Sequence, residues 1–172
     1  RLRDAEALLF DTARQRGIDA TVLRPTLVYG AGRDATLTRI AALATRLHGF
    51  VLPADATGLR QPVHVDDLAA AAIACLDAPA THGQAYALPG GETLPYRGMV
   101  ARVLAALPAR LHLFTLPSPL FRALLLPARL AGLASGFSDA ALARMREDLV
   151  FDAEPARRDF GYAPRAFAPN SD

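Results

Sequence analysis

The chain has 172 residues, of which 52% are hydrophobic and 21% charged, and its formal net charge is +2. This balance places it among globular proteins long enough to bury a core. All 19 basic residues are arginines scattered along the chain, and only 7% of residues are aromatic, so no basic stripe with stacking platforms is present. We therefore expect no nucleic-acid partner. The single cysteine, Cys75, cannot form an internal disulfide, which fits a cytoplasmic protein.

The first elements alternate between helix and strand patterns. An apolar helical spacing runs from Leu2 to about Arg16 and stops at Gly17. The sequence DATVLRP then predicts a short buried strand that Pro25 ends, and a glycine-containing loop follows it. The next helix presents an apolar face and ends near Gly49; its apolar residues are Leu37, Ile40, Leu43, Ala44 and Leu47.

The alternation continues after a turn. QPVHV predicts a strand that leads into the helix DDLAAAAIACLDA, whose N-terminus Asp66 or Asp67 is suited to cap. GQAYALPGG predicts a further strand and turn. A fourth amphipathic helix follows, marked by Met99, Val100, Val103, Leu104 and Leu107. This order predicts an α/β architecture with at least part of a parallel sheet.

Residues 111–137 are strongly apolar but are broken by Pro117, Pro119 and Pro127 and contain Arg122 and Arg129. A membrane-spanning helix needs about 20 apolar residues without such breaks. We therefore predict short core helices interrupted by proline, with a membrane-surface helix as the alternative. The tail predicts a short helix capped by Asp152, followed by a proline-rich exit.

Five pieces in order resemble one family. They are Glu6 on the first helix, GIDATVLRPTLVYGAGRD, LRQPVHVDDLAAA, GQAYALPGGETLPYRGMV and FDAEPARRDFGYAPR. Together they resemble the C-terminal half of the extended short-chain dehydrogenase/reductases, the NAD-dependent epimerase/dehydratases. In that family the glycine-rich phosphate loop lies in an N-terminal half that these residues do not contain. The chain starts at Arg1 with residues that already read as mid-helix, so we expect it to be the C-terminal portion of a longer protein.

The resemblance implies that the strand ending at Arg24-Pro25 is central and parallel. It also implies that its exit passes beside the nicotinamide of NAD or NADP. The cofactor-binding residues it implies are Pro25, Thr26, Leu27, Val28 and Tyr29. Ligands of open parallel sheets bind outside the carboxyl ends of the strands, and proline offers a rigid apolar surface without an N–H donor. An ordinary strand that ends in proline is the alternative.

Arg60 falls where nucleotide-sugar members of the family carry an arginine that grips the substrate diphosphate. Guanidinium donors are planar and permanently charged, which suits phosphate oxygens. The family often has an aromatic two residues later, where this chain has Pro62. A second diphosphate arginine aligns with Leu142, and Arg144, our second candidate for substrate binding, is close but out of register.

No metal site is expected. His64 and the pair Asp66-Asp67 invite a metal or catalytic interpretation, but no other histidine has a ligand spacing to His64. We interpret the aspartates as helix-terminal charges and His64 as a strand residue with a local hydrogen bond.

Active members of the family use Tyr-x-x-x-Lys, in which the lysine lowers the pKa of the tyrosine. The family places an acidic residue four positions after this lysine and about eighteen before the arginine of the turn. Glu6 and Arg24 have that spacing, so the lysine position falls on Leu2. The catalytic residues are therefore unknown. Three explanations stay open: a shifted register with Arg1 or Arg3 as substitute, an atypical NAD(P)-binding enzyme, or a binding or assembly protein.

The sequence thus predicts the C-terminal part of a doubly wound Rossmann-type parallel sheet, with residues 1–172 in one NAD(P)-binding domain. A small, mostly helical lobe from residues 37–59 and 89–153 is expected to cap the substrate. The predicted function is that of an oxidoreductase or epimerase-like protein for a small molecule, such as a nucleotide sugar. The alternative is a non-catalytic accessory or assembly subunit associated with a membrane. The sequence leaves homo-oligomer formation and the choice between NAD and NADP open.

Overall fold

A computed structural model describes residues 2–32, 35–130 and 139–169 of the chain. The helices are α1 Leu2–Arg16, α2 Ala35–Leu47, α3 Val65–Leu76, α4 Tyr96–Ala105, α5 Ser118–Leu130, α6 Asp139–Arg144 and α7 Glu154–Phe160. The strands are β1 Val22–Pro25, β2 Val28–Tyr29, β3 Gly49–Pro53, β4 Leu59–Arg60, β5 Val63–His64, β6 Ala85–Leu88, β7 Leu94–Pro95 and β8 His112–Leu116. A short 3-10 helix, Pro79–Thr81, follows α3.

The chain divides into two compact units. Unit 1 comprises Arg1–Val28, Pro62–Glu92 and Phe151–Phe167. Unit 2 comprises Tyr29–Gln61, Thr93–Val150 and Ala168–Asp172. Each unit is therefore assembled from separate stretches of sequence, and the two segments predicted for the lobe fall largely in unit 2.

Unit 1 is built around the parallel pair β1 and β6, in which Val22 lies opposite Ala85 and Pro25 lies opposite Leu88. Helices α3 and α7 supply the small residues that let them pack closely on β6. The buried cluster they form consists of Ala71, Tyr86, Leu88, Ala153, Ala156 and Tyr162. The parallel pairing and its helical cover confirm the α/β architecture predicted from the order of elements.

Unit 2 contains the parallel pair β3 and β8 and the antiparallel pair β4 and β7. Helices α2 and α4 contact each other, and α2 also packs on β3. These helices and β3 supply fully buried residues, namely Ala44, Leu52, Met99 and Val100. The unit thus adds two strand pairs to the helices that the sequence predicts for this part of the chain.

Two features differ from the sequence-based expectations. The start of the apolar stretch is the strand β8, because its residues pair with β3 along their full length. The helix that follows, α5, continues past Pro127 to Leu130, so this proline does not end it. A proline removes one backbone hydrogen bond and kinks a helix without necessarily stopping it. Residues 131–138 of the stretch lie outside the described residues.

Within the described ranges, no helix is both long and apolar enough to cross a membrane.

Candidate functional site

The predicted cofactor wall begins where β1 ends. Pro25 is exposed and closes the pairing of β1 with β6, and the Thr26 N–H donates to the Leu88 carbonyl at 3.3 Å. The Leu27 carbonyl accepts from the Val63 N–H at 2.9 Å. The turn is therefore pinned from both sides by backbone bonds, while the side chain of Pro25 stays accessible at the carboxyl end of a parallel strand.

The end of the predicted wall belongs to unit 2. Tyr29 is only 2% exposed, and its hydroxyl accepts from the backbone N–H of Ala168 at 3.2 Å. The Tyr29 hydroxyl is therefore hydrogen-bonded to the backbone of a residue far along the chain. Val28, the remaining residue of the wall, is half-buried in β2. The five residues thus differ in solvent exposure, and Pro25 is the most exposed of them.

Arg24, beside Pro25, is held by Glu6 of α1. Arg24 Nε donates to Glu6 Oε1 at 2.9 Å, and its NH2 group donates to Oε2, so the pair is bidentate. The hydrogen bonds from Arg24 lower the pKa of the Glu6 carboxyl, and those to Glu6 raise the pKa of Arg24. The spacing of these two residues is the basis of the predicted register, but their contact was not predicted. Leu2 lies four residues before Glu6, one turn earlier on the same helix.

Arg60 lies at the end of β4 and is only 6% exposed. Its NH1 group donates to the carbonyls of Leu59 at 2.6 Å and Glu147 at 2.7 Å, and its NH2 group donates to the carbonyl of Arg144. The guanidinium carbon also lies 5.4 Å from the centre of the Tyr96 ring. Burial lowers the pKa of Arg60, although nearby negative groups oppose this effect.

The other arginines near the predicted diphosphate position, Arg144 and Arg146, differ from Arg60 in their exposure and contacts. The Arg144 side chain is exposed at the end of α6, whereas Leu142, which aligns with the family's second arginine, is buried. Arg146 Nε pairs with Asp55 Oδ2 at 2.7 Å. The structure therefore brings Arg60 to the backbone of Arg144 and not to its guanidinium.

The cap of α3 is His64, which corrects the prediction that Asp66 or Asp67 performs this role. His64 is 2% exposed, and its Nδ1 accepts from the Asp66 N–H at 3.2 Å. The residue before the helix is the one whose side chain can reach that N–H. The prediction of a strand histidine with a local hydrogen bond is confirmed. Among the residues that the structure describes, no three His, Cys, Asp or Glu side chains are grouped to hold a metal ion.

Sequence reasoning did not single out three contacts that order unit 1. Asp67 accepts from the backbone N–H of Arg165 at 2.9 Å and from its Nε at 2.8 Å. The Tyr86 hydroxyl donates to Asp159 Oδ2 at 2.8 Å, and the Tyr162 hydroxyl donates to the Pro89 carbonyl at 2.8 Å. No local pattern signals these pairs, because their members are 73 to 98 residues apart.

Comparison with known proteins identifies the class that this fold defines. The profile described as "NAD dependent epimerase/dehydratase family" matches residues 3–88, which contain β1, the Pro25 turn, α3 and β6. The chain belongs to this family of Rossmann-type α/β proteins.

A curated relative from Stenotrophomonas maltophilia (strain K279a), "2-alkyl-3-oxoalkanoate reductase", is 31% identical over 163 residues, which cover 89% of this chain and 49% of the relative. The chain thus spans about half the length of the curated relatives it matches.

Two solved structures share the fold. The UDP-glucose 4-epimerase of Thermotoga maritima, solved with UDP-glucose, superposes with a TM-score of 0.67 at 17% identity, covering 98% of this chain and 48% of that one. RMD from Pseudomonas aeruginosa, complexed with NADPH, gives a TM-score of 0.65 at 15% identity, covering 97% of this chain and 50% of that one. Both overlaps are consistent with the C-terminal portion of a Rossmann-type protein, as the sequence predicts.

Proposed function

We propose that the protein containing this chain is an NAD(P)-dependent oxidoreductase or epimerase-like enzyme that acts on a small molecule. In this proposal Pro25, Thr26, Leu27, Val28 and Tyr29 form the wall beside the nicotinamide. The observation that carries it is the position of Pro25, exposed at the carboxyl end of β1 in a parallel pair. Ligands of open parallel sheets bind at that end of the strands.

The residues at this turn fit a nicotinamide ring. Pro25 presents an apolar side chain and has no N–H that would need a partner. Arg24, the nearest cation in sequence, is neutralised by Glu6, which reduces its repulsion of an oxidised, positively charged ring. When bound, the cofactor would supply hydride exchange, and the chain's part would be to position the ring and the substrate.

The substrate is proposed only as a class. The name of the reductase relative favours an oxo compound, and the UDP-glucose in the Thermotoga maritima structure favours a nucleotide sugar. The diphosphate-binding roles of Arg60 and Arg144 stay predictions that belong to the second possibility. Both classes contain a carbonyl or hydroxyl carbon on which hydride chemistry can act.

A second candidate function is a non-catalytic NAD(P)-binding accessory or assembly subunit. What favours it is the register predicted from the spacing of Glu6 and Arg24, in which Leu2 takes the position of the family's lysine. A leucine cannot stabilise a phenolate by charge, so the usual acid/base pair would be incomplete.

The experiment that tests the proposal is a fluorescence titration of the intact protein with NADH and with NADPH. We expect micromolar binding of at least one of them, weakened at least about tenfold by Pro25→Arg, since the arginine adds bulk and charge at the ring. Pro79→Arg is the matched control, because Pro79 is also exposed in unit 1 but follows α3. Failure of both cofactors to bind, or equal weakening by the two substitutions, would contradict the proposal.

A further inference from the structure

Residues 144–149, here called the clamped segment, lie along β4 within unit 2. The Gly58 N–H donates to the Met145 carbonyl at 3.0 Å, and the Leu149 N–H donates to the Leu59 carbonyl at 2.9 Å. The Leu59 N–H donates to Asp148 Oδ1 at 2.8 Å. The contact is so close that a β-carbon on Gly58 would lie 2.3 Å from the Glu147 carbonyl oxygen.

Arg60 completes this contact from its buried position. Two of its three carbonyl acceptors, those of Arg144 and Glu147, belong to the clamped segment. The Arg144 carbonyl ends α6, and the last carbonyls of a helix have no partner within it. A cation is favoured there by the helix dipole as well as by the hydrogen bond. The planar, permanently charged guanidinium reaches both carbonyls from one side.

The three carbonyls take up three of the five N–H donors of the Arg60 guanidinium, including both of those on NH1. Arg60 as a whole residue is 6% exposed, and its guanidinium lies over the Tyr96 ring, so little of the side chain is accessible to a free ligand. Arg146, on the same segment, is paired with Asp55. The side chains of Arg60 and Arg146 therefore both make contacts within unit 2.

We infer that Arg60 is a positioning residue that fixes the clamped segment, and that the substrate of this protein is a hydroxy or carbonyl compound without a diphosphate. The inference rests on the proposed function for its hydride chemistry. It differs from the nucleotide-sugar prediction, in which Arg60 itself holds phosphate. In the inferred arrangement the guanidinium acts on the substrate only through the backbone that it holds.

The test combines calorimetry with hydrogen exchange on the intact protein. Calorimetric titration with UDP asks whether a nucleoside diphosphate binds, and a parallel titration with NADH tests the proposed function separately. Hydrogen exchange is compared between wild type, Arg60→Lys and the control Arg146→Lys. Lysine keeps the charge and still binds phosphate, but a single ammonium does not reproduce the planar fork that reaches several carbonyls.

We expect no UDP binding at millimolar concentration. We also expect exchange of residues 144–149 to rise about tenfold in Arg60→Lys, with little change in Arg146→Lys and in the rest of the protein. Micromolar UDP binding by wild type would overturn the inference even if the variant failed to fold, and so would unchanged exchange in Arg60→Lys. Failure of the protein to bind NADH would count against the proposed function only. The UDP titration and the exchange comparison would still decide the inference about Arg60 and the substrate.

Discussion

Glu6 and Arg24 join α1 to the end of β1 through two hydrogen bonds between one carboxylate and one guanidinium. The pair lies directly before Pro25, so it fixes the helix and the turn relative to each other within unit 1. Both residues belong to the sequence register from which we predict that Leu2 takes the position of the family's lysine. The pair therefore holds in place the turn that we propose as the cofactor wall. In the predicted register, the family's acid/base tyrosine is also left without its lysine.

The first prediction concerns the pH dependence of this pair. The pKa of Glu6 is lowered in the folded chain, so its stabilising effect is complete above its ordinary value of 4.5 and is lost as the pH falls through the lower folded value. Glu6→Gln should therefore lower the unfolding temperature slightly at about pH 7 and by less at about pH 3. Thermal unfolding at the two pH values measures this difference.

Asp11→Asn is the control for this prediction, because Asp11 pairs with Arg14 on the exposed surface of the same helix. Such an exposed pair contributes little to stability. A loss of stability in Glu6→Gln that is equal at both pH values would show that the effect does not come from the charge.

The second prediction concerns the alkaline limit of stability. Burial and the bond to Asp159 raise the pKa of Tyr86 to about 12. The unfolded chain releases this proton near pH 10, so the stability due to Tyr86 is complete below about pH 10 and is lost as the pH rises toward 12. Tyr86→Phe should reduce the fall in stability over this interval and cost about 0.5–1.5 kcal/mol at neutral pH. Denaturant unfolding across the interval measures both effects, and an unchanged alkaline slope would argue against a buried Tyr86 hydroxyl.

The third prediction tests the close approach of β4 to the clamped segment. Gly58→Ala should destabilise the protein by about 1–3 kcal/mol, because the new β-carbon overlaps backbone that cannot easily move. Gly98→Ala is the matched control. Its β-carbon would be 3.7 Å from Pro95 Cδ, an ordinary contact, and alanine is favoured in a helix such as α4 by about 0.5–1 kcal/mol. Equal stabilities of the two variants would contradict the described packing.

The fourth prediction separates an atypical enzyme from a binding protein. Leu2→Lys places an ammonium at the position that the predicted register assigns to the family's lysine, which in family members lowers the pKa of the tyrosine and holds the ribose. If the protein is an enzyme limited by this gap, the variant should bind NADH at least about threefold more tightly and raise any measured turnover. Unchanged binding and turnover would favour the accessory-subunit alternative or a different register. The control Leu9→Lys adds the same charge at another exposed position of α1.

Local patterns predicted the elements that depend on neighbouring residues. α1 runs over Leu2–Arg16, the range that its apolar spacing indicates, and Gly17 after it adopts the positive φ of +63° that a helix end favours. The strand that ends at Pro25 was predicted for the same reason, because proline restricts the backbone before it.

Contacts between distant residues account for what was missed. β8 forms because residues 112–116 pair with residues 49–53, a partner that an apolar stretch does not reveal. The carbonyl partners of Arg60 lie 84 and 87 residues away, apart from its neighbour Leu59. The resemblance implied a diphosphate-binding role for Arg60, which stays a prediction, and its carbonyl acceptors follow from how the chain returns to β4.

The central claim is that the turn after β1 lies beside the nicotinamide, and a crystal structure of the intact protein with NADPH tests it most directly. The account predicts the nicotinamide ring in van der Waals contact, within about 4 Å, with Pro25 or Thr26. A ring bound away from residues 25–29, or density for no cofactor in crystals soaked well above a measured dissociation constant, would contradict it.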